Sequence, residues 1–396
     1  MIPQQYLDML GAKSVIRTLS EWAAARGAEI GYDNVFDYSL GNPSVPCPPQ
    51  FTETMIHLLR TARPVELHGY SPSLGIASVR AAVAESLNRR FGMNYGPEHI
   101  FMASGAAGAI AHALRCVANP GEEVVVMAPF FPEYKPYIEG AGLKLHIVPP
   151  RVEDFQVDLA AFEAALGPQT AAVLINTPNN PSGAAYSSET LTSMADILKR
   201  ASAKYGRHIF LISDEPYREI LFGGRQINYP AKFYDDTLTC YSFSKSLSLP
   251  GERIGYVAVN PAAEQADKMV PVCGQISRGT GHNCPPSIIQ LAVAQCLELT
   301  SDLSVYEKNM ELIYAELKRL GFTVVKPDGT FYIFPKALEE DSNAFCQKAT
   351  RYDLVLVPGD TFGCPGYFRM AYCIDTDKVR RSFAALERFV HEEYRR

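Results

Sequence analysis

No long run of like charge occurs in these 396 residues: basic residues never extend beyond a dipeptide, as in Arg89-Arg90, Arg380-Arg381 and Arg395-Arg396, and the net charge is −6. Such a surface excludes nucleic acid or an anionic membrane as the main partner. Long apolar runs are missing too. The longest, Val124 to Pro132, is about half a membrane span. Met1 to Gly11 lacks a basic stretch followed by an apolar one, so the expected setting is the cytoplasm. The nine cysteines include no Cys-x-x-Cys pair, and their odd number fits neither a disulfide framework nor a zinc ribbon. They read as reduced, mostly buried thiols. No two of the eight histidines stand four apart, and no metal is expected.

What is present is the composition of a soluble enzyme: 47% hydrophobic and 20% charged residues, enough to bury a large core and to exclude disorder as the main state. At about 100–200 residues per domain the length predicts two or three domains. From about residue 98 short β-branched runs alternate with helical stretches, the pattern of a parallel sheet covered by helices. The strand candidates are Val124–Met127, Leu145–Val148, Ala172–Asn176, Ile209–Ser213, Thr237–Tyr241 and Tyr256–Val259. The helical ones are Ala106–Val117, Pro136–Ala141, Leu159–Ala165 and Ser188–Tyr205. Around this block lie a helical Ser14–Ala25, a turn-rich Gly41–Pro49 and a helix from Ser78 to Phe91. Behind it come Pro286–Leu320, helical with a break near Ser301-Asp302, strands at Phe331–Phe334 and Phe368–Tyr372, and a helix from Thr376 onward. The fold class expected is α/β: a large domain, 45–293, with a mostly parallel sheet covered on both faces, and a smaller α+β domain built from both termini, 1–44 and 294–396. Ligands of open sheets bind beyond the carboxyl ends of the strands.

The chemistry-bearing segments fall at those ends. In Ser242-Phe243-Ser244-Lys245, followed by Pro250-Gly251-Glu252-Arg253-Ile254-Gly255-Tyr256, a lysine stands just after a strand. Taken alone it is a surface lysine. Desolvation and a nearby cation would lower its pKa and free the amine to attack an aldehyde. Arg253 offers a planar fork for a phosphate, and Ser242 a hydroxyl donor. Asp214, in Ser213-Asp214-Glu215-Pro216-Tyr217, ends another strand. An isolated acid there is an end cap; beside a pyridine ring it would keep the nitrogen protonated. Asn176-Thr177-Pro178-Asn179-Asn180-Pro181-Ser182-Gly183 is a rigid turn able to present an amide. Ser104-Gly105-Ala106-Ala107-Gly108 leads small residues into a helix N-terminus, where a phosphate can approach. It has neither the third glycine of a dinucleotide fingerprint nor the Gly-Lys-Ser/Thr of a P-loop. Pro129-Phe130-Phe131-Pro132 places aromatics at a strand end, where a flat ring could stack.

Together and in this order, these segments resemble the pyridoxal-phosphate-dependent aminotransferases of the aspartate aminotransferase superfamily, over nearly the whole chain. Ser-x-x-Lys followed by Pro-Gly-x-Arg-x-Gly-Tyr is the most specific motif, supported by Asn-Pro-Ser-Gly and Asp-x-x-Tyr. The resemblance implies pyridoxal 5'-phosphate as cofactor and Lys245 as the residue forming its Schiff base and shuttling the proton. It implies Asp214 on the pyridine nitrogen, Tyr217 and Asn180 on the ring oxygen, and Phe131 stacked on the ring. The phosphate would be held by backbone N–H groups of Ala106 and Ala107, by Ser242 and Arg253, and by Tyr70 from the other subunit of a homodimer. Many relatives add a Ser or Thr hydroxyl near Ala106–Ala107; here backbone contacts remain. Arg369 stands where the family pairs the substrate α-carboxylate, with Gly41 beside it and Asn180 also facing substrate. Arg278, in a Gly-rich loop, either reads a second carboxylate across the dimer or braces the loop; its spacing to Pro285-Pro286 departs from the aspartate-specific pattern by a residue.

The activity implied is ping-pong transfer of the amino group of an L-amino acid to a 2-oxo acid. Elimination at a C–S bond or decarboxylation on the same scaffold are alternatives, because cofactor motifs do not fix which Cα bond breaks. Ser242-x-x-Lys245 also fits a serine acyl-enzyme motif, but no Lys-Thr-Gly accompanies it. A non-catalytic effector domain would need a DNA-binding module, for which the first 40 residues are too short.

Overall fold

The structure, a computed structural model, describes Ile2, Leu7 and residues 15–395. The reading of Met1–Gly11 and the Ser14 start of the first helix lie outside those residues except at Ile2 and Leu7. Among the described residues the strands are β1 (Phe36–Asp37), β2 (Ile100–Ala103), β3 (Glu123–Met127), β4 (Lys144–Val148), β5 (Thr170–Asn176), β6 (Phe210–Asp214), β7 (Thr237–Ser242), β8 (Gly255–Val259), β9 (Tyr332–Ile333), β10 (Leu354–Val355), β11 (Val357–Pro358) and β12 (Phe368–Ala371).

Seven of them form one sheet in the order β2-β8-β7-β6-β5-β3-β4. It is parallel except at β8, which runs antiparallel to both β2 and β7. The strands read as continuous apolar runs because both faces are covered, and β5 is buried at all seven positions. Alternate side chains serve opposite faces. Val124, Val126, Ala172, Leu174, Ile212, Leu238 and Cys240 meet the helices Gly105–Val117 and Ala266–Thr280. Val125, Met127, Val173, Ile175 and Leu211 meet the helices Leu159–Ala165 and Ser188–Tyr205. Ile100, Met102, Tyr241 and Tyr256 join the helices Pro49–Thr61, Ala77–Phe91 and Ser287–Ala294. Each such Val, Leu or Ile contributes about 1.5–3 kcal/mol by leaving water. The fold is thus α/β, with a mostly parallel sheet between helical layers.

The chain divides into two units: residues 45–180 with 184–303, which hold this sheet, and residues 1–44, 181–183 and 304–396. The second boundary falls at Leu303, not at residue 293. Cys296 lies in the core beneath β2 and β8, and the Ser301 N–H donates to the Ser246 carbonyl at 2.8 Å. In the smaller unit β11, β12 and β9 form an antiparallel sheet, and β1 pairs parallel with β10. The helix Thr376–Tyr394 starts from Asp375, whose carboxylate accepts the N–H groups of Asp377 and Lys378.

Candidate active site

Parity places the polar ends of three neighbouring strands on one face. Asn176, Asp214 and Ser242 end β5, β6 and β7, and each has the parity of Leu174, Ile212 and Leu238, which pack on the Gly105–Val117 side. Asn176 fixes the turn after β5: its amide donates to the Asp214 carbonyl at 2.9 Å, and its Oδ1 accepts the Asn180 N–H at 2.6 Å. Lys245 lies on the four-residue helix Phe243–Ser246 directly after β7 and is the one residue of the four that is not buried. Ser246 anchors that helix through the Tyr241 hydroxyl at 2.7 Å. Tyr217, one turn beyond Asp214, is buried.

The helix Gly105–Val117 begins without a side-chain cap, so its first turn leaves backbone donors for a ligand. Gly105 has φ +75°, and a Cβ there would come within 2.7 Å of the Arg253 guanidinium. Only glycine permits this approach. Arg253 is held there by its own carbonyl contacts, to Pro250 at 2.9 Å and Ser104 at 3.5 Å. Ala106, Ala107, Arg253 and, through the Ser242–Gly255 register, Ser242 therefore belong to one cradle.

Asp214 is fully buried, and burial pushes its carboxyl up to about 7, against the pull of a hydrogen bond from Tyr134. The Tyr134 hydroxyl donates to Oδ2 at 2.6 Å, while Oδ1 has no partner among the described residues. Phe131 meets Tyr134 edge-on, with ring centroids 5.7 Å apart at 87°. Sequence reasoning missed Tyr134. It stands three residues after Phe131, at the start of the helix Tyr134–Glu139, and nothing local marks it as the partner of a residue 80 positions on.

Across the sheet from Asp214 stands a second buried acid, Glu215. The Arg218 guanidinium donates to it at 3.3 Å and to the Tyr256 hydroxyl at 2.9 Å, and lies over the ring of Tyr241 at 4.2 Å. Arg218 too was absent from the sequence reading, although Glu215 and Arg218 stand three apart.

The smaller unit gathers Arg369, Ser39, Gly41 and Tyr332. Arg369, buried in β12, donates to the Ser39 carbonyl, and its guanidinium lies 4.5 Å over the Tyr332 ring. A Cβ at Gly41 would fall 1.8 Å from the Tyr332 hydroxyl, so glycine alone fits beside that ring. Arg278 does not lie in a loop: it is exposed in the last turn of the helix Ala266–Thr280, which runs on because the Thr280 hydroxyl donates to the Ile276 carbonyl and Gly281, at φ +65°, forms the cap. Tyr70 is wholly exposed after the helix Pro64–His68.

A buried carboxylate oxygen without a partner, a cradle that a Cβ would fill and an amine at the next strand end suit a ring with a basic nitrogen, a phosphate and an aldehyde. That donor set defines the class of pyridoxal-phosphate enzymes. The profile of the family described as "Aminotransferase class I and II" matches residues 33–386, and the chain belongs to this family, within the aspartate aminotransferase superfamily. Its members use pyridoxal 5'-phosphate. The chain is similar to a probable aspartate/prephenate aminotransferase of Aquifex aeolicus (strain VF5), 29% identical over 93% of this chain and 95% of that one. It is 31% identical to a probable N-acetyl-LL-diaminopimelate aminotransferase of Bacillus subtilis (strain 168), over 81% of each. Among solved structures, an amino transferase from Eubacterium rectale superposes with a TM-score of 0.96 at 41% identity, covering all of both chains. The chain is an aminotransferase.

Proposed function

We propose that this enzyme moves the amino group of an L-amino acid to a 2-oxo acid by a ping-pong mechanism, with Lys245 as the catalytic amine. The observation that carries the reading is the Asp214 oxygen left without a partner, on the face of the sheet that also carries the Gly105 cradle. When bound, pyridoxal phosphate supplies an electrophilic aldehyde and a ring that draws electrons from the substrate Cα. Ala106, Ala107, Ser242 and Arg253 hold its phosphate, Asp214 keeps its nitrogen protonated, Asn180 and Tyr217 face its ring oxygen, and Phe131 covers its face.

With pyridoxal phosphate bound, Lys245 would be the amine that holds its aldehyde carbon. The Lys245 amine, when free, would take the substrate's Cα proton as a base and, as an acid, deliver it on the cofactor side of that carbon, as transfer of the amino group requires. Arg369 pairs with the substrate α-carboxylate through its planar fork, steadied by Tyr332 beneath it. Tyr70 reaches the phosphate of a second copy in a homodimer; Val65, Leu59 and Ile56 stand exposed nearby on the same stretch of chain. All nine cysteines are free thiols, as suits the cytoplasm, and no described helix is long and apolar enough to cross a membrane.

The test is a screen of amino donors against 2-oxo acceptors with the wild type and Lys245→Ala. The variant should bind pyridoxal phosphate yet lose turnover, and the wild type should sediment as a dimer. Normal turnover in Lys245→Ala would falsify the mechanism, and pyruvate and ammonia formed without an acceptor would assign a lyase instead.

A further inference from the structure

Tyr134 stands between the two groups assigned to the cofactor ring, and it touches both. Its hydroxyl donates to Asp214 at 2.6 Å, inside the range of about 2.5–2.7 Å for a hydroxyl bound to an ionised carboxylate. Its ring meets Phe131 edge-on, and its backbone N–H donates to the Phe131 carbonyl at 3.0 Å. We infer that Tyr134 is a positioning residue: it occupies Oδ2 of Asp214, leaves Oδ1 for the ring nitrogen, favours the ionised carboxylate and seats Phe131. The inference rests on the reading above and deepens it.

The groups that face Asp214 make the phenol decisive. Tyr134 and Tyr137 come from the helix Tyr134–Glu139, Cys240 from β7 and Glu215 from the continuation of β6. Of these, Glu215 opposes the charge and Tyr134 favours it. A hydrogen bond to the charged form favours ionisation of a buried carboxylate, and Tyr134 supplies one. The phenol itself stays protonated, because burial and the neighbouring Asp214 both raise its pKa. The donor role therefore persists wherever the enzyme is folded. Held from one side, the carboxylate cannot turn to present its other oxygen. Two functions of the cofactor pocket, nitrogen pairing and ring stacking, thus share one side chain.

The experiment compares the full-length wild type, Tyr134→Phe, Asp214→Asn and the double variant. Infrared titration of the cofactor-free chain, with the Asp214 band assigned by Asp214→Asn, should show the carboxyl midpoint rise by about one pH unit in Tyr134→Phe. The dissociation constant for pyridoxal phosphate, followed by its absorption, should weaken about tenfold in Tyr134→Phe and not weaken further when the change is added to Asp214→Asn. Replacement of Tyr134 by 3-fluorotyrosine, which keeps the shape and donates more strongly, should lower the midpoint and serves where the phenylalanine variant folds poorly. An unmoved midpoint, or additive losses of affinity, would overturn the inference. If Asp214→Asn bound cofactor and turned over like the wild type, the reading of Asp214 would fall, while the shift of its band in Tyr134→Phe would still stand.

Discussion

Asp214 and Glu215 are neighbours in the chain, both wholly buried, both with carboxyls pushed upward by burial, and they face opposite sides of the sheet. Glu215 is knitted in: Arg218 and Thr239 donate to it, and three aromatic rings, Phe91, Tyr229 and Tyr241, surround the guanidinium. Asp214 has one neutral donor and one oxygen with no partner among the described residues. Burial and a displaced acidity are common to both, so neither marks the functional acid. What separates them is the incomplete set of partners at Asp214, which on the proposed reading a ligand completes.

The largest effect expected from this contrast is on turnover. Asp214→Asn keeps the shape and still accepts the Tyr134 hydroxyl, but it cannot hold a protonated ring nitrogen. Turnover should fall about a thousandfold, close to 4 kcal/mol of barrier, with thermal stability near that of the wild type. Steady-state kinetics on the cofactor-saturated variant decide it. A loss of only a few-fold would mean that the unpartnered oxygen has no part in the chemistry.

The reverse pattern is expected across the sheet. Glu215→Ala leaves Arg218 buried with fewer partners, and breaking a buried pair costs about 3–5 kcal/mol of stability. Urea unfolding should show that loss, while turnover per folded molecule stays unchanged. If Glu215→Ala lowered turnover as deeply as Asp214→Asn does, the distinction between the two faces would be broken.

The same contrast explains what was legible in the sequence. Asp214, Ser242 and Lys245 stand at strand ends in recognisable spacings, and alternation along each strand already assigns a face, so the face on which these strand ends gather could be read from the chain. The helix Ala266–Thr280 could not: Pro271, Gly274 and Gly279 argue for a loop, and only packing of Met269, Val270 and Cys273 on the sheet outweighs that local preference. Arg278 was accordingly expected in a loop and stands on a helix. Tyr134 was hidden for another reason. Its partner lies 80 residues away, and only the tertiary fold brings an apparently ordinary core tyrosine to the carboxylate. The strands β10 and β11, two residues each, carry too short a pattern to be seen.

The smallest effect separates the two acids by pH. Asp214 in the folded, cofactor-free chain has its carboxyl at about 7, against about 3.9 when unfolded. Between those values the folded state retains a proton that the unfolded state has released, so stability falls as pH rises through that window. The contribution is one proton, about 1.4 kcal/mol per pH unit. Below about pH 4 both states are protonated and above about pH 7 both are ionised, and the slope from this group vanishes. Asp214→Asn should remove this share of the slope. Saturation with pyridoxal phosphate should remove it too, because on the proposed reading the protonated ring nitrogen would hold this carboxylate ionised across the window. Glu215 meets no such ligand, and its share of the pH dependence should be the same with and without cofactor. Urea unfolding at a series of pH values, run on the cofactor-free and loaded wild type, measures both. An Asp214 slope that survived loading would mean that the cofactor nitrogen does not meet this carboxylate.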